Sequence, residues 1–237
     1  MAYGIYVATA GAVARQTQLD LVANNLANAD TAGYRSQEVS FNEVLHDATE
    51  APHRHMVAVG ENWVSMEPGP LVATQNPRDL AIEGSGFFSV SDGGFQTLTR
   101  SLTAQVGPDG RLVDAEGRTL LGQSGPIFVD RLAEFQVDEG GQVVQDGRPI
   151  DRLRVVDVSD PRGLVPLGGG GYQTSPESGT AFRTDATVVQ GALEGSNVRP
   201  LDSMIQLIQL QRDYQSLSRA ITAYRQADEE LIRASRG

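Results

Sequence analysis

An α+β fold is what this 237-residue chain predicts, with amphipathic helices at the two termini forming a coiled coil and an all-β domain between them. Three observations carry the prediction. Apolar residues recur on a three-four spacing near each end of the chain. Short apolar runs separated by Asp-Gly and Gly-Gly turns fill the middle. Glycine and proline are plentiful, 26 and 11 residues, while aromatics make up only 6%, a mix suited to turn-rich β structure.

The first stripe consists of Ile5, Ala8, Ala12, Leu19, Val22 and Leu26, interrupted at Arg15. Its spacing is that of a heptad rather than a strand. Being narrow and alanine-rich, it favours close helix–helix approach but gives a lone helix little to bury. Asn24, Asn25 and Asn28 precede Asp30-Thr31-Ala32-Gly33-Tyr34. Asn and Asp disfavour helix and Gly33 can adopt the positive φ of a C-cap, so the helix should stop near Asn28.

Residues 1–34 therefore read as an N-terminal helix and turn, and 35–74, with Pro52, Pro68, Gly69 and Pro70, as an extended or irregular connector. Residues 75–190 read as the β-rich domain. Leu80-Ala81-Ile82, Phe87-Phe88-Ser89-Val90 and Leu153 to Val158 are its strands, Asp92-Gly93-Gly94, Pro108-Asp109-Gly110 and Asp146-Gly147 its tight turns. Gly168 to Gly171 is expected to be a flexible loop, and Val188-Val189 to close the domain. Residues 191–237 hold the second helix, from about Pro200 to Ala234, roughly 50 Å long at ~1.5 Å per residue. Its stripe is Leu207, Leu210, Tyr214, Leu217, Ile221, Tyr224, Asp228 and Leu231, widened over the first turns by Leu201, Ile205 and Ile208. Pro200 suits the first helical position and Asp202 the positive helix start.

Composition excludes several classes of function. A formal net charge of −11 repels nucleic acid and anionic lipid. With no cysteine, thiol catalysis, disulfides and thiolate metal sites are ruled out. No stretch is long and apolar enough for membrane insertion. The start of the chain lacks a basic, then apolar, leader, so export would proceed without a cleaved signal peptide.

Motifs for chemistry are equally thin. His53-x-His55, with His46 nearby, lacks carboxylates at ligand spacing and reads as a solvated loop. Gly84-x-Gly86 lacks the third glycine and the helix of a dinucleotide site. No Gly-x-Ser-x-Gly elbow is present. The residues thus predict no catalytic, cofactor or metal site. A carbohydrate-acting enzyme would need clustered aromatics and paired acids, and the single Trp63 lies outside the β domain. A helical adaptor binding one partner would form a discrete complex rather than a polymer.

Two terminal stripes need something to bury against. They fit either an antiparallel pair packed on the β domain or a coiled coil of both termini continued by neighbouring subunits. Leu19-Asp20-Leu21-Val22-Ala23-Asn24-Asn25-Leu26-Ala27-Asn28-Ala29-Asp30-Thr31-Ala32-Gly33-Tyr34 resembles the signature of flagellar rod, hook and hook-associated proteins, with Asp30 where Asn is usual. Gly191-Ala192-Leu193-Glu194-Gly195-Ser196-Asn197-Val198 resembles the segment opening the family's C-terminal helix, and Gln209-Leu210-Gln211-Arg212-Asp213-Tyr214 a later part of it. Arg199 stands where the family commonly has Asn or Asp, so Asn197 is expected to substitute as N-cap. Pro68-Gly69-Pro70 and Asn76 to Phe88 resemble the start of the rod and hook β domain.

The resemblance implies a structural, non-enzymatic subunit of the flagellar basal-body rod in the periplasm, exported by the flagellar type III apparatus. It would polymerise with itself, homologous subunits and other rod proteins, proximal and distal. The short span 42–66 favours the proximal-rod subfamily over the distal one, with a short hook-type protein as a further alternative. The assembly interface it implies comprises Ile5, Ala8, Ala12, Leu19, Val22, Leu26, Leu207, Leu210, Tyr214, Leu217, Ile221, Tyr224 and Leu231.

Overall fold

The computed structural model describes residues 2–46, 54–179, 181–183 and 186–236. The chain divides into two compact units, one built from 1–27, 37–62 and 199–237, the other from 28–36 and 63–198. An N-terminal helix, a mostly β centre and a C-terminal helix make the fold α+β.

In the first unit, α1 (Ala2–Ala27) and α2 (Pro200–Arg236) are the two helices. At 37 residues, α2 is about 55 Å long. The stretch expected to be extended or irregular contains two long strands, β1 (Gln37–His46) and β2 (Arg54–Val64), which pair with each other. Their apolar residues alternate with polar ones only intermittently, and the prolines that dominated the sequence reading lie outside both strands. Asn25 fastens the start of β1: its side-chain amide donates to the Gln37 carbonyl and accepts from the Gln37 N–H, both at 2.9 Å. A side chain of α1 thereby mimics a neighbouring strand.

The second unit, called the β unit below, is assembled from antiparallel ladders. Its largest sheet runs in the order 164–168, 171–174, 95–99, 87–92, 119–120, 112–113, 105–106, with 155–158 joined to 87–92 and to 181–183. The strand Phe87–Asp92 separates two apolar clusters. Phe88 and Val90 enter one with Leu80, Ile82, Leu112 and Leu120; Phe87 enters the other with Leu98, Val158 and Tyr172. Side chains alternate across a strand, so burial on both faces produces the unbroken apolar run Phe87-Phe88. Val155 and Val156 divide between the same clusters. That strand begins at Val155 rather than Leu153, because Leu153 makes only an isolated bridge, to Gly122.

Turn signals are honoured closely. Asp146 and Gly147 take φ of 52° and 72° between the strands 142–145 and 148–152, the paired positive angles of a tight hairpin. Gly168 to Gly171 is not a flexible loop. Gly168, Gly169 and Gly170 have φ of 89°, 56° and 68° and turn the chain between two paired strands, and Gly170 and Gly171 are buried. At Gly170 a Cβ would stand 2.5 Å from the Ala32 carbonyl oxygen. Gly33 does have positive φ, at 70°, but it lies well past the end of α1 and serves the turn that follows.

Candidate functional site: the helix pair and the helix roots

The stripes identified in the sequence meet within one chain. α1 and α2 run antiparallel. Gly4 sits under the ring of Tyr224 and Gly11 against Leu217, and Arg15 reaches Asp213 at 3.4 Å. Small residues on α1, Gly4 and Gly11, let large residues of α2 come close. The break at Arg15 acquires a reason: its guanidinium crosses to Asp213 and also donates to Gln18 at 2.6 Å. Being largely exposed, that ion pair adds little stability.

Ala8 and Ala12 are buried, while Ile5, Leu19, Val22, Leu26, Leu207, Leu210, Tyr214, Leu217 and Ile221 are half-buried. Tyr224 and Leu231 are exposed. A different face of the pair is bare. Leu201, Met204, Ile205 and Ile208 on the first turns of α2 are 70%, 50%, 48% and 52% exposed, and Tyr6 and Val13 on α1 are exposed as well. Four large apolar residues within eight positions thus lie uncovered on one helix.

Sequence reasoning missed the second element, a buried charge cluster in the β unit. Glu194 lies at the end of the strand Ala192–Glu194. One carboxylate oxygen accepts from Arg35 Nη2 at 2.8 Å and from the Gly69 N–H at 3.1 Å. The other accepts from Arg100 Nε at 2.8 Å. All three side chains are 1–2% exposed. Arg100 also donates to the carbonyls of Ile82, Gly84 and Gly86 and lies 5.8 Å from the centre of the Phe87 ring. Arg35 donates further to the Met66 carbonyl. Burial pushes the Arg35 pKa down, and the Glu194 charge opposes that shift.

This cluster ties together two chain segments that lead to the helices, which we call the helix roots. The first, 28–36, follows α1; the second, 194–198, precedes α2. The Gly33 N–H donates to the Glu194 carbonyl at 2.7 Å, and the Ser36 N–H to the Asn197 side chain at 2.7 Å. The Asn197 N–H reaches the Tyr34 carbonyl at 3.3 Å, and its side chain donates to the Glu67 carbonyl at 2.9 Å. Asn197 therefore does not cap α2, since joining the roots occupies its amide. Gly69 passes so close that a Cβ would run into the Gly195 carbonyl oxygen. The sequence signal for this cluster was a charged residue at the end of a buried strand. Among 30 acidic residues, nothing local set Glu194 apart.

Tyr172 completes the first root. Its hydroxyl accepts the Arg35 N–H at 2.8 Å and donates to the Gly33 carbonyl at 3.2 Å. Burial raises its pKa, partly offset by the hydrogen bond from Arg35. The folded phenol thus keeps its proton above the pH, about 10, at which an unfolded tyrosine releases it. Its contribution to stability is complete below that pH and falls as pH rises beyond it. Tyr172→Phe is expected to lower unfolding stability by about 2 kcal/mol, by leaving a buried N–H and carbonyl unpaired. Urea titrations across the alkaline range should show a shallower pH dependence in the variant.

For metal chemistry, no group of three or more His, Asp or Glu is placed to hold an ion among the described residues. His46 and His55 fall in β1 and β2, and His53 lies outside the described residues. Among the described residues, no helix is long and apolar enough to cross a membrane.

Comparison with known proteins finds family matches at both ends of the chain. Residues 5–35 match the family model described as flagella basal body rod protein, and residues 189–234 that described as flagellar basal body rod FlgEFG protein C-terminal. The chain is 32% identical over 221 residues to the flagellar basal-body rod protein FlgF of Rhizobium meliloti, covering 92% of this chain and 91% of that protein. It is 30% identical over 240 residues to FlgF of Salmonella typhimurium, covering 94% of each. Identity to the flagellar basal-body rod protein FlgG of Agrobacterium fabrum is 27% over 245 residues, covering 91% of this chain and 93% of that protein.

Proposed function

We infer the function of this chain from one premise: it belongs to the flagellar basal-body rod protein family. It is a structural subunit of the flagellar basal-body rod. Within that role we assign it to the proximal rod. Relatives named FlgF match at 28–32% identity and those named FlgG at 26–27%, and the short connector supports the same choice.

The observation that carries the mechanism is the uncovered apolar surface on the first turns of α2. Subunits polymerise through their terminal helices, α1 and α2 pairing as a coiled coil that neighbours continue. Contacts of this kind, between different patches on successive subunits, generate open helical tubes. The predicted stripe and the bare flank beside it are the assembly contacts. Other rod subunits are the partners, and the work is mechanical, transmitting torque across the periplasm with no catalytic residue or cofactor. Delivery runs through the flagellar export apparatus.

Electron microscopy of basal bodies from a strain lacking the gene tests the reading. Rings without a completed rod are expected. A complete rod lacking only its hook would move the protein to the hook. Intact, motile flagella would restore the adaptor alternative.

A further inference from the structure

We propose that Met204 is a modification site that regulates the α2 surface: peroxide converts its thioether to the sulfoxide in the free subunit, and a subunit so modified is excluded from the rod. This rests on reading that surface as an assembly contact. Leu201, Met204, Ile205 and Ile208 fall at spacings of three and four, so they share one helix face. Met204 stands in the middle of it, with Leu201 one turn before and Ile208 one turn after, and it is 50% exposed. Because the chain has no cysteine, its four methionines hold all of its sulfur, and no thiol competes for an oxidant. Met66, by contrast, is half-buried against the cluster that contains Phe87 and Tyr172. Access to Met204 does not require α2 to be paired with α1. Its side chain is as open to a small oxidant on a lone helix or an unfolded segment.

Hydrogen peroxide is the co-reactant. The sulfur lone pair attacks one peroxide oxygen, and the S–O bond forms as the O–O bond breaks. The transferred hydroxyl gives its proton to the departing hydroxide, which leaves as water. Sulfur is oxidised by two electrons and the peroxide is reduced by two. The product is a polar, chiral side chain in place of a flexible apolar one. In the free subunit its new oxygen is hydrated. At a subunit contact it would be buried among Leu201, Ile205 and Ile208, whose side chains donate no hydrogen bond, so the contact loses affinity. Assembly also covers the sulfur. Oxidation therefore acts on subunits before they join and spares those already in place.

A brief hydrogen peroxide pulse given to growing cells tests the proposal, followed by peptide mass spectrometry of unassembled chain and of basal bodies completed after the pulse. The sulfoxide of Met204 is expected to be at least about tenfold richer in the unassembled pool, while that of Met66 divides evenly. Met204→Leu, close in volume, should build rods normally. Met204→Gln, which puts a polar amide where the sulfoxide would stand, should cut completed rods at least about tenfold. Glutamine is a good helix former, so circular dichroism of the free chain should not change. Equal Met204 sulfoxide fractions in the two pools would overturn the proposal, as would normal rod completion in Met204→Gln. So would equal depletion at Met66, which would mean that damaged chains are excluded wholesale. The double variant Ile205→Asp, Ile208→Asp separates this regulation from the surface itself. If its rods are complete, the reading of the α2 surface fails. If it builds none while Met204→Gln builds them normally, only the regulation fails.

Discussion

Gly170→Ala is expected to destabilise the β unit by about 3 kcal/mol or more. Two separate costs fall on this position. Its φ of 68° lies in the left-handed region, where a non-glycine residue costs about 1–2 kcal/mol. The new Cβ would also stand 2.5 Å from the Ala32 carbonyl oxygen. Backbone cannot swing aside as a side chain can, so the first root or the turn must shift, adding about 1–3 kcal/mol. The Gly170 carbonyl is itself engaged, accepting from Thr99 Oγ1 at 3.2 Å. Gly168 is the internal control: its φ is 89°, yet nothing lies within 4 Å of a Cβ there. Gly168→Ala should cost only the conformational part, about 1–2 kcal/mol. Urea unfolding followed by the fluorescence of Trp63 measures both, and equal costs would mean that the turn does not press on the first root.

Assembly should be abolished by Ile205→Asp combined with Ile208→Asp, with little change in the monomer. Both side chains are about half-exposed on α2, so a carboxylate there stays hydrated in the free chain and stability should change by less than about 1 kcal/mol. At a subunit contact the same carboxylates would have to be desolvated without partners, at several kcal/mol each. That converts to a loss of more than 100-fold in affinity per contact, and a tube repeats the contact at every subunit. Leu217→Asp is the contrasting case. Leu217 lies against Gly11 of the same chain, so its replacement should separate the helices in the monomer while the β unit remains folded. Circular dichroism of the purified chains and swimming in soft agar distinguish the two variants. Normal swimming in the Ile205→Asp, Ile208→Asp strain would remove this flank from the assembly contacts.

The parts of the fold legible in the sequence are those written in local chemistry. A three-four spacing and Pro200 locate α2 to within two residues at its end. The Asp146-Gly147 pair announces its hairpin because few other residues accept those angles. Gly168 to Gly171 was misread because four glycines suit a loose loop and a tightly constrained turn equally well. Only the Ala32 carbonyl, more than a hundred residues away, decides between them. The same distance in sequence hides Arg35, Arg100 and Glu194, whose partners lie on three different parts of the chain. The stripes were visible, and a pairing of the two termini was among the readings they allowed. Periodicity identifies an apolar face without saying whether it meets its own chain or another, and here the face beside the stripe is the one left bare.

The meeting of the two roots has a consequence for how such chains diversify. Gly33 and Glu194 are hydrogen-bonded neighbours at 2.7 Å, so everything between them departs from one spot and returns to it. Topologically, that stretch is a cassette. An insert whose two ends lie close together can be enlarged, shortened or exchanged for an unrelated domain without altering the separation of the flanking segments. β1 and β2 lie within that stretch but belong to the same unit as the helices, so the piece that can vary as a module is the β unit, and a graft must reproduce the spacing of its ends.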